Sequence, residues 1–300
     1  MKQIKQTKKR AKKEISDQDA YKSLPKNRKE VFFDLLKTRK MNMFSLSCLV
    51  ALFFIPLFID LIYFNLIEMG AMATLEGNDL SRTLFSLMFY SLLIAIPCMI
   101  IGFFGLAGGF NVIKKMVWQE GIHMSQDFFQ GIKENAKQCI LLGFIGGLSL
   151  FGMVIGCSYL RIYAEIEPVW CGIGIGALIV QFIMFGIMNL ISLAQIVFYS
   201  NSFKHTYKNA FSFLMLSNWR SIVAFIFSIG LTVGLCLINS VTLYIALFCF
   251  AIFNAWIILL FTLISHKYFD KYINKDNYPQ FYEKGLYKSN EIIAKQEKEN

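Results

Sequence analysis

Six long apolar segments with almost no charged residues constrain the fold of this 300-residue chain more than any other feature. A membrane-spanning helix needs about 20 mostly apolar residues. Transmembrane strands would instead show short segments of alternating polarity, so we expect helices, which satisfy their own backbone hydrogen bonds in lipid. The sequence therefore predicts an all-α, polytopic membrane protein with six transmembrane helices. Their bounds are roughly 43–67, 84–109, 139–160, 171–197, 220–238 and 241–265.

The basic residues predict how the chain is oriented in the membrane. Twenty-eight of the 30 Lys and Arg residues lie before the first span, in the loops 110–138 and 198–220, or from residue 266 onward. Only Arg82 and Arg161 are left for the other side. Cytoplasmic loops carry the excess of Lys and Arg, so both termini are predicted to be cytoplasmic. The net charge of +10 then belongs to one membrane face and does not indicate a nucleic-acid-binding protein.

Composition divides the chain into three regions. Residues 1–30 are too polar to fold alone and predict a disordered, basic cytoplasmic arm. Residues 31–268 form the predicted membrane domain, and 269–300 a charged cytoplasmic tail. Lysines near the membrane attract anionic lipids by about 1 kcal/mol each. The predicted partner of this face is therefore a bilayer with anionic lipids.

Amphipathic segments come just before three of the spans. In 124–137, apolar residues recur at helical spacing with charged residues on the opposite face, which is typical of a helix lying in the membrane interface. Similar segments occur at 202–213 and 32–37, so the chain is compatible with three parallel two-span units. The candidate interfacial or partner-docking residues of these elbows are Phe128, Phe129, Lys133, Lys137, Phe203, Lys204 and Lys208.

A few polar residues interrupt the predicted spans. Asp60 is the one ionisable side chain inside them, and such a residue is by default a functional candidate. Gln181, Asn189, Gln195 and Asn254 could hydrogen-bond between helices or line a small cavity. The candidate cavity-lining set is Asp60, Gln181, Asn189 and Asn254.

Pairs of glycines four residues apart predict where spans pack closely. Such pairs lie within the third, fourth and fifth predicted spans, and small residues at this spacing let helix backbones approach. We therefore expect these three spans to form the tight centre of the bundle. The pairs are Gly143/Gly147, Gly152/Gly156, Gly172/Gly176 and Gly230/Gly234.

Motifs that carry chemistry are missing from the sequence. It contains no CxxC pair among its seven Cys, no HExxH, no nucleotide-binding loop and no chain of acidic residues in the spans. Its three His residues each stand alone, without spaced metal ligands. The sequence therefore predicts neither an enzyme nor a bound cofactor or metal.

A series of motifs runs through the central part of the chain: a Pro-containing span, a small-residue run, a basic pair, an acidic residue and an aromatic-rich helix. Their positions are Pro97, Ala107, Lys114, Lys115, Glu120, Phe128, Phe129, Lys133 and Asn135. Over about residues 84–265, the chain resembles the YesL-type family of bacterial membrane proteins, a family of unknown function. This chain differs from the family pattern by an additional first span and a long basic N-terminus.

Two classes of function follow. Members of the family are often encoded beside carbohydrate ABC transporter subunits, so the resemblance implies a bacterial plasma-membrane protein with an accessory role in sugar uptake. The spans, poor in ionisable groups, favour this non-catalytic accessory or scaffold role, with ABC transporter subunits as partners. The alternative is a small-solute transporter with a cavity between its spans.

Overall fold

The structure is a computed structural model that describes residues 24–163, 166–199, 201–216, 219–236 and 238–287. These residues form helices and turns, with no strand among them. The longer helices are α1 Arg28–Thr38, α2 Lys40–Thr74, α3 Gly77–Val117, α4 Met124–Tyr163, α5 Pro168–Phe198, α6 Phe203–Leu216, α7 Arg220–Phe225, α8 Leu231–Cys236 and α9 Ser240–Phe269. Most of the predicted arm and the end of the predicted tail, at 1–23 and 288–300, lie outside the described residues.

Five of these helices, α2, α3, α4, α5 and α9, are long and apolar enough to cross a membrane. The sixth predicted span, at 220–238, corresponds to α7 and α8, which a π-helical turn at Ile226–Gly230 joins. This segment counts as a span only together with α6, from which it is bent by 106°. The prediction of an all-α polytopic membrane protein is confirmed, with five or six spans.

The three predicted elbows have different outcomes. α6 is a separate helix at 106° to the segment that follows it, and α1 is separated from α2 at Arg39. Residues 124–137, in contrast, are the first turns of the 40-residue helix α4. The prediction that 124–137 lies flat in the membrane interface is wrong, because nothing interrupts the helix before its apolar part. Whether the three hairpins are true repeats stays a prediction.

Helix α3 lies at the centre of the bundle, and glycines bring α4 against it. A Cβ atom on Gly143 would lie 2.6 Å from the Cα atom of Ile100, and one on Gly147 would lie 2.9 Å from the Cα atom of Ile96. Two backbones therefore touch along this seam, which joins the second and third spans. The sequence predicts that spans three, four and five pack closely through their glycine pairs. This prediction is wrong at four of these glycines, because an added Cβ would meet nothing within 4 Å. They are Gly152, Gly172, Gly176 and Gly234.

Both ends of the described chain meet at one end of the bundle. The Tyr287 backbone N–H donates to the carbonyl oxygen of Pro25 at 2.9 Å, and Arg28 pairs with Asp270 at 2.9 Å. The predicted domain boundaries at 30 and 268 are not breaks, because α1 begins at Arg28 and the helical chain continues past α9. It continues as a π-helical turn at Asp270–Asn274, the short helix α10 at Lys275–Asn277 and a 3-10 turn at Pro279–Phe281. We call residues 279–287 the C-terminal strap.

Candidate functional site

The four candidate lysines of the elbows are all exposed, and none takes part in an ion pair within the described part of the chain. Their i, i+4 spacing places Lys133 and Lys137 on one face of α4, and Lys204 and Lys208 on one face of α6. The Gln138 side-chain amide donates to the Asn201 carbonyl oxygen at 2.9 Å and so links α4 to the segment just before α6. We call this set the four-lysine surface.

One carboxylate lies within the four-lysine surface. Glu134 follows Lys133, is exposed, and accepts a hydrogen bond at 2.7 Å from the side-chain amide of Gln130. It offsets one of the four positive charges. The surface therefore keeps a positive excess, which can attract an acidic partner over about a Debye length, near 8 Å at physiological ionic strength.

The aromatic candidates of the elbows separate into core and surface. Phe128 is fully buried, and an added Cβ on Gly108 would lie 2.7 Å from its ring. Phe129 is 58% exposed, while the half-buried Phe203 stacks on Tyr207 at 5.5 Å between ring centroids. The prediction that Phe128 contacts a partner or the membrane interface is wrong, because its ring fills the space that glycine leaves on α3.

The four candidate cavity residues do not line a common cavity. Asn254 is buried and donates to the Ser47 carbonyl oxygen at 3.0 Å, so it joins α9 to α2. Asp60 accepts a hydrogen bond at 3.1 Å from the hydroxyl of Ser91. Asp60 lies about 20 Å beyond Ser47 along α2, at 1.5 Å per residue. Asn254 thus connects α9 to α2, whereas Asp60 connects α2 to α3. The prediction that Asp60 and Asn254 line one cavity is therefore wrong.

Asn189 and Gln181, the other two candidates, both lie on α5. Asn189 is 2% exposed, and its side-chain oxygen accepts no hydrogen bond within the described residues. Gln181 is half-buried two helical turns earlier. Asn189 therefore belongs to the buried interior, whereas Gln181 is partly open to the surroundings of the bundle.

Among the described residues, three ion pairs lie at the end of the bundle that carries both described termini. Arg28 pairs with Asp270 at 2.9 Å, and Lys115 pairs with the buried Asp127 at 2.6 Å. A third pair, at 2.6 Å, joins Lys284 of the strap to Glu120. Sequence analysis missed these pairs, because two of the three join residues that are more than 160 positions apart.

A polar network continues from Asp270 toward the end of α5. The side-chain amide of Asn274 donates to Asp270 at 2.8 Å, and the hydroxyl of Tyr199 donates to the side-chain oxygen of Asn274. Burial raises the pKa of Tyr199 above its usual range, and the negative charge of Asp270 adds to that effect. Tyr199 therefore stays protonated and keeps its hydrogen bond at physiological pH.

An aromatic cluster lies beneath the strap. The Trp118 ring lies 5.2 Å from Phe281 and 5.3 Å from Phe198, and the Lys284 ammonium lies 4.1 Å from its centre. His266 is 1% exposed, with its ring centroid 4.4 Å from that of Phe198. The strap therefore closes this end of the bundle over an aromatic and basic interior.

Several buried polar groups near this cluster have no hydrogen-bond partner among the described residues. They lie on the last turns of α5 and α9, whose C-terminal ends meet where Phe198 and Phe269 are 5.8 Å apart. Leaving a buried polar group without a hydrogen bond costs about 1–3 kcal/mol. This group of buried polar side chains is therefore a functional candidate. The residues, each at most 1% exposed, are Ser192, Gln195, Thr262, Ser265 and His266.

Comparison with known protein families, curated protein sequences and solved structures finds no match. The likeness to the YesL-type family therefore stays a prediction. Within the described residues, no group of three His, Cys, Asp or Glu side chains is placed to hold a metal ion. The described side chains offer electrostatic attraction at the four-lysine surface and hydrogen-bonding groups in the interior.

Proposed function

We propose that the protein is a non-catalytic component of the bacterial plasma membrane that holds an acidic partner at its four-lysine surface. The observation that carries this proposal is the contrast between the lysines at this end of the bundle. Lys115 and Lys284 are used in ion pairs, whereas the four surface lysines are exposed and form no ion pair with any residue that the structure describes. The partners that the family resemblance implies are subunits of a carbohydrate ABC transporter.

The orientation predicted from the basic residues supports this proposal. The basic loops, the strap and α1 meet at one end of the bundle, while Arg82 and Arg161 belong to the other end. By the preference of Lys and Arg for the cytoplasm, we assign the four-lysine surface and both termini to the cytoplasmic side. A cytoplasmic acidic protein surface could then reach all four lysines.

Charge reversal tests the docking surface. Lys133→Glu combined with Lys137→Glu should reduce co-purification of ABC transporter subunits from native membranes at least tenfold, because attraction becomes repulsion. The matched control is Lys37→Glu combined with Lys40→Glu, which makes the same charge change at two exposed lysines of α1 and α2. Equal losses in both variants, or no loss in either, would contradict the proposal.

A small-solute transporter is the second candidate function. The buried and unpaired side chains on α5 and α9 support it, because polar groups inside a membrane domain commonly mark a solute pathway. Purified protein in liposomes should then take up a sugar, and Gln195→Leu should abolish uptake while the amount of folded protein stays the same. Asp60→Asn serves as the control, since Asp60 lies away from these residues. Uptake that persists in Gln195→Leu would exclude this pathway.

A further inference from the structure

A pocket of about 640 Å³ opens between α6 and the chain that follows α9. Its polar lining includes the side chains of Asn201, Asn209, Asn277 and Ser212. Within the described residues, the three asparagine amides make no hydrogen bond. They are therefore available to a ligand that offers hydroxyl or phosphate oxygens.

The rest of the pocket is apolar. Phe213, Leu216 and Ile273 contribute to its lining, and no charged residue does. Its volume is within the range of about 300–1,000 Å³ that is typical of small-molecule sites. A ligand that uses both parts of the lining must be amphipathic.

The position of the pocket indicates a membrane lipid. α6 lies at 106° to the following helical segment, and exposed apolar side chains lie on either side of this bend. Met215 is 57% exposed, Leu216 is 50% exposed, and Trp219 is 68% exposed. Trp is enriched at the boundary between the hydrocarbon core and the headgroups. The pocket thus opens at headgroup level, with its apolar side toward the acyl chains.

The rim of the pocket adds a charge preference. Lys208, Lys271 and Lys275 are exposed and lie one or two residues from lining residues, and the Lys271 ammonium is 4.8 Å from the centre of the Tyr272 ring. One exposed carboxylate, that of Asp276, lies beside them. The rim therefore has a positive excess, whereas the interior is neutral and rich in hydrogen-bonding groups.

We infer that this pocket binds one molecule of an anionic phospholipid with a hydroxyl-bearing headgroup. The rim lysines attract the phosphate, the asparagine amides hydrogen-bond the headgroup oxygens, and the acyl chains follow Leu216 toward the bilayer. The pocket shares Lys208 with the four-lysine surface, but its lining contains none of the four lysines, so variants of the lining test the lipid separately from the proposed partner.

Native mass spectrometry of the full chain tests the site. Protein released from nanodiscs that contain equal amounts of phosphatidylglycerol and phosphatidylcholine should retain one phosphatidylglycerol at least fivefold more often than one phosphatidylcholine. Asn209→Leu and, separately, Asn277→Leu should each remove most of this preference. Asn78→Leu, an exposed asparagine in the first turn of α3 at the other end of the bundle, should leave the preference unchanged.

Three outcomes of the comparison between variants would overturn the inference. They are equal retention of the two lipids by the unchanged protein, an undiminished preference in both pocket variants, and an equal loss in the Asn78→Leu control. Soluble glycerol phosphate in large excess should not displace the lipid, because it lacks the apolar part. Displacement by glycerol phosphate alone would show a free-phosphate site and would also overturn the lipid assignment.

Discussion

Gly285 holds the C-terminal strap in a conformation that other residues rarely adopt. Its φ is +82°, and an added Cβ would lie 2.3 Å from the Val117 carbonyl oxygen and 2.9 Å from the Cα atom of Trp118. Both neighbours are backbone atoms, so they cannot turn aside as a flexible side chain would. Gly285→Ala therefore forces the strap away from the end of α3.

The side-chain contacts on either side of Gly285 are individually modest. Burial of Leu286, which is 8% exposed, contributes about 1.5–3 kcal/mol. The Lys284–Glu120 pair adds about 0.2–1 kcal/mol, and the Lys284 ammonium over Trp118 adds about 0.5–1 kcal/mol. An alanine in the left-handed region costs roughly 1–2 kcal/mol before the backbone clash is counted. Further contacts also hold the strap, among them the Tyr287–Pro25 hydrogen bond and the stacking of Phe281 on Trp118. We therefore expect Gly285→Ala to raise the population of the undocked strap without releasing it completely.

Tryptic cleavage after Lys284 measures this release. The purified protein should be cut there at least tenfold faster in Gly285→Ala, because each 1.4 kcal/mol lost from docking raises the undocked population about tenfold. The control is Gly121→Ala, a loop glycine with nothing within 4 Å of an added Cβ and no positive φ. An unchanged cleavage rate at Lys284 in Gly285→Ala would refute the described role of the strap.

Three further predictions concern packing, ion pairing and topology. Gly143→Ala should lower the unfolding temperature in detergent, at a cost of about 1–3 kcal/mol from overpacking against Ile100, whereas Gly172→Ala, where the space is open, should not. Arg28→Met should destabilise the protein, because it leaves the carboxylate of Asp270 without its ion-pair partner. Adding Asp270→Asn should recover part of the lost stability, and a larger loss in the double variant would contradict this explanation. Reporter fusions should place residues 75, 165 and 240 outside and residues 120 and 210 inside, and a swap at any site would contradict the topology of that hairpin.

The sequence alone determined the fold class, because hydropathy acts locally. A run of about 20 apolar residues needs lipid whatever its neighbours are, and so five of the six predicted spans match long apolar helices. The amphipathic segment at 202–213, which forms α6, was also predictable, because the residues of this helix alone determine its polar and apolar faces. The four lysines could be named in advance for the same reason: long charged side chains stay exposed unless a partner buries them.

The tertiary structure decided which neighbours those residues meet. Phe128 and Phe129 are adjacent in the sequence, yet one is fully buried and the other is 58% exposed. The periodicity of α4 places both toward its apolar face, and only the glycine surface of α3 selects Phe128 for the core. The glycine pairs illustrate the same limit, because their spacing permits close approach without naming the partner helix.

The polar groups depended most on the three-dimensional structure. Arg28 and Asp270 are 242 residues apart in the sequence. Phe281 of the strap stacks on Trp118, although 163 positions separate these two residues. Nothing in the local pattern around either partner differs from that of a solvated charge or an interfacial aromatic ring. Ion pairs and ring contacts form where packing brings distant segments together, so their identity is a property of the folded bundle and not of any one segment.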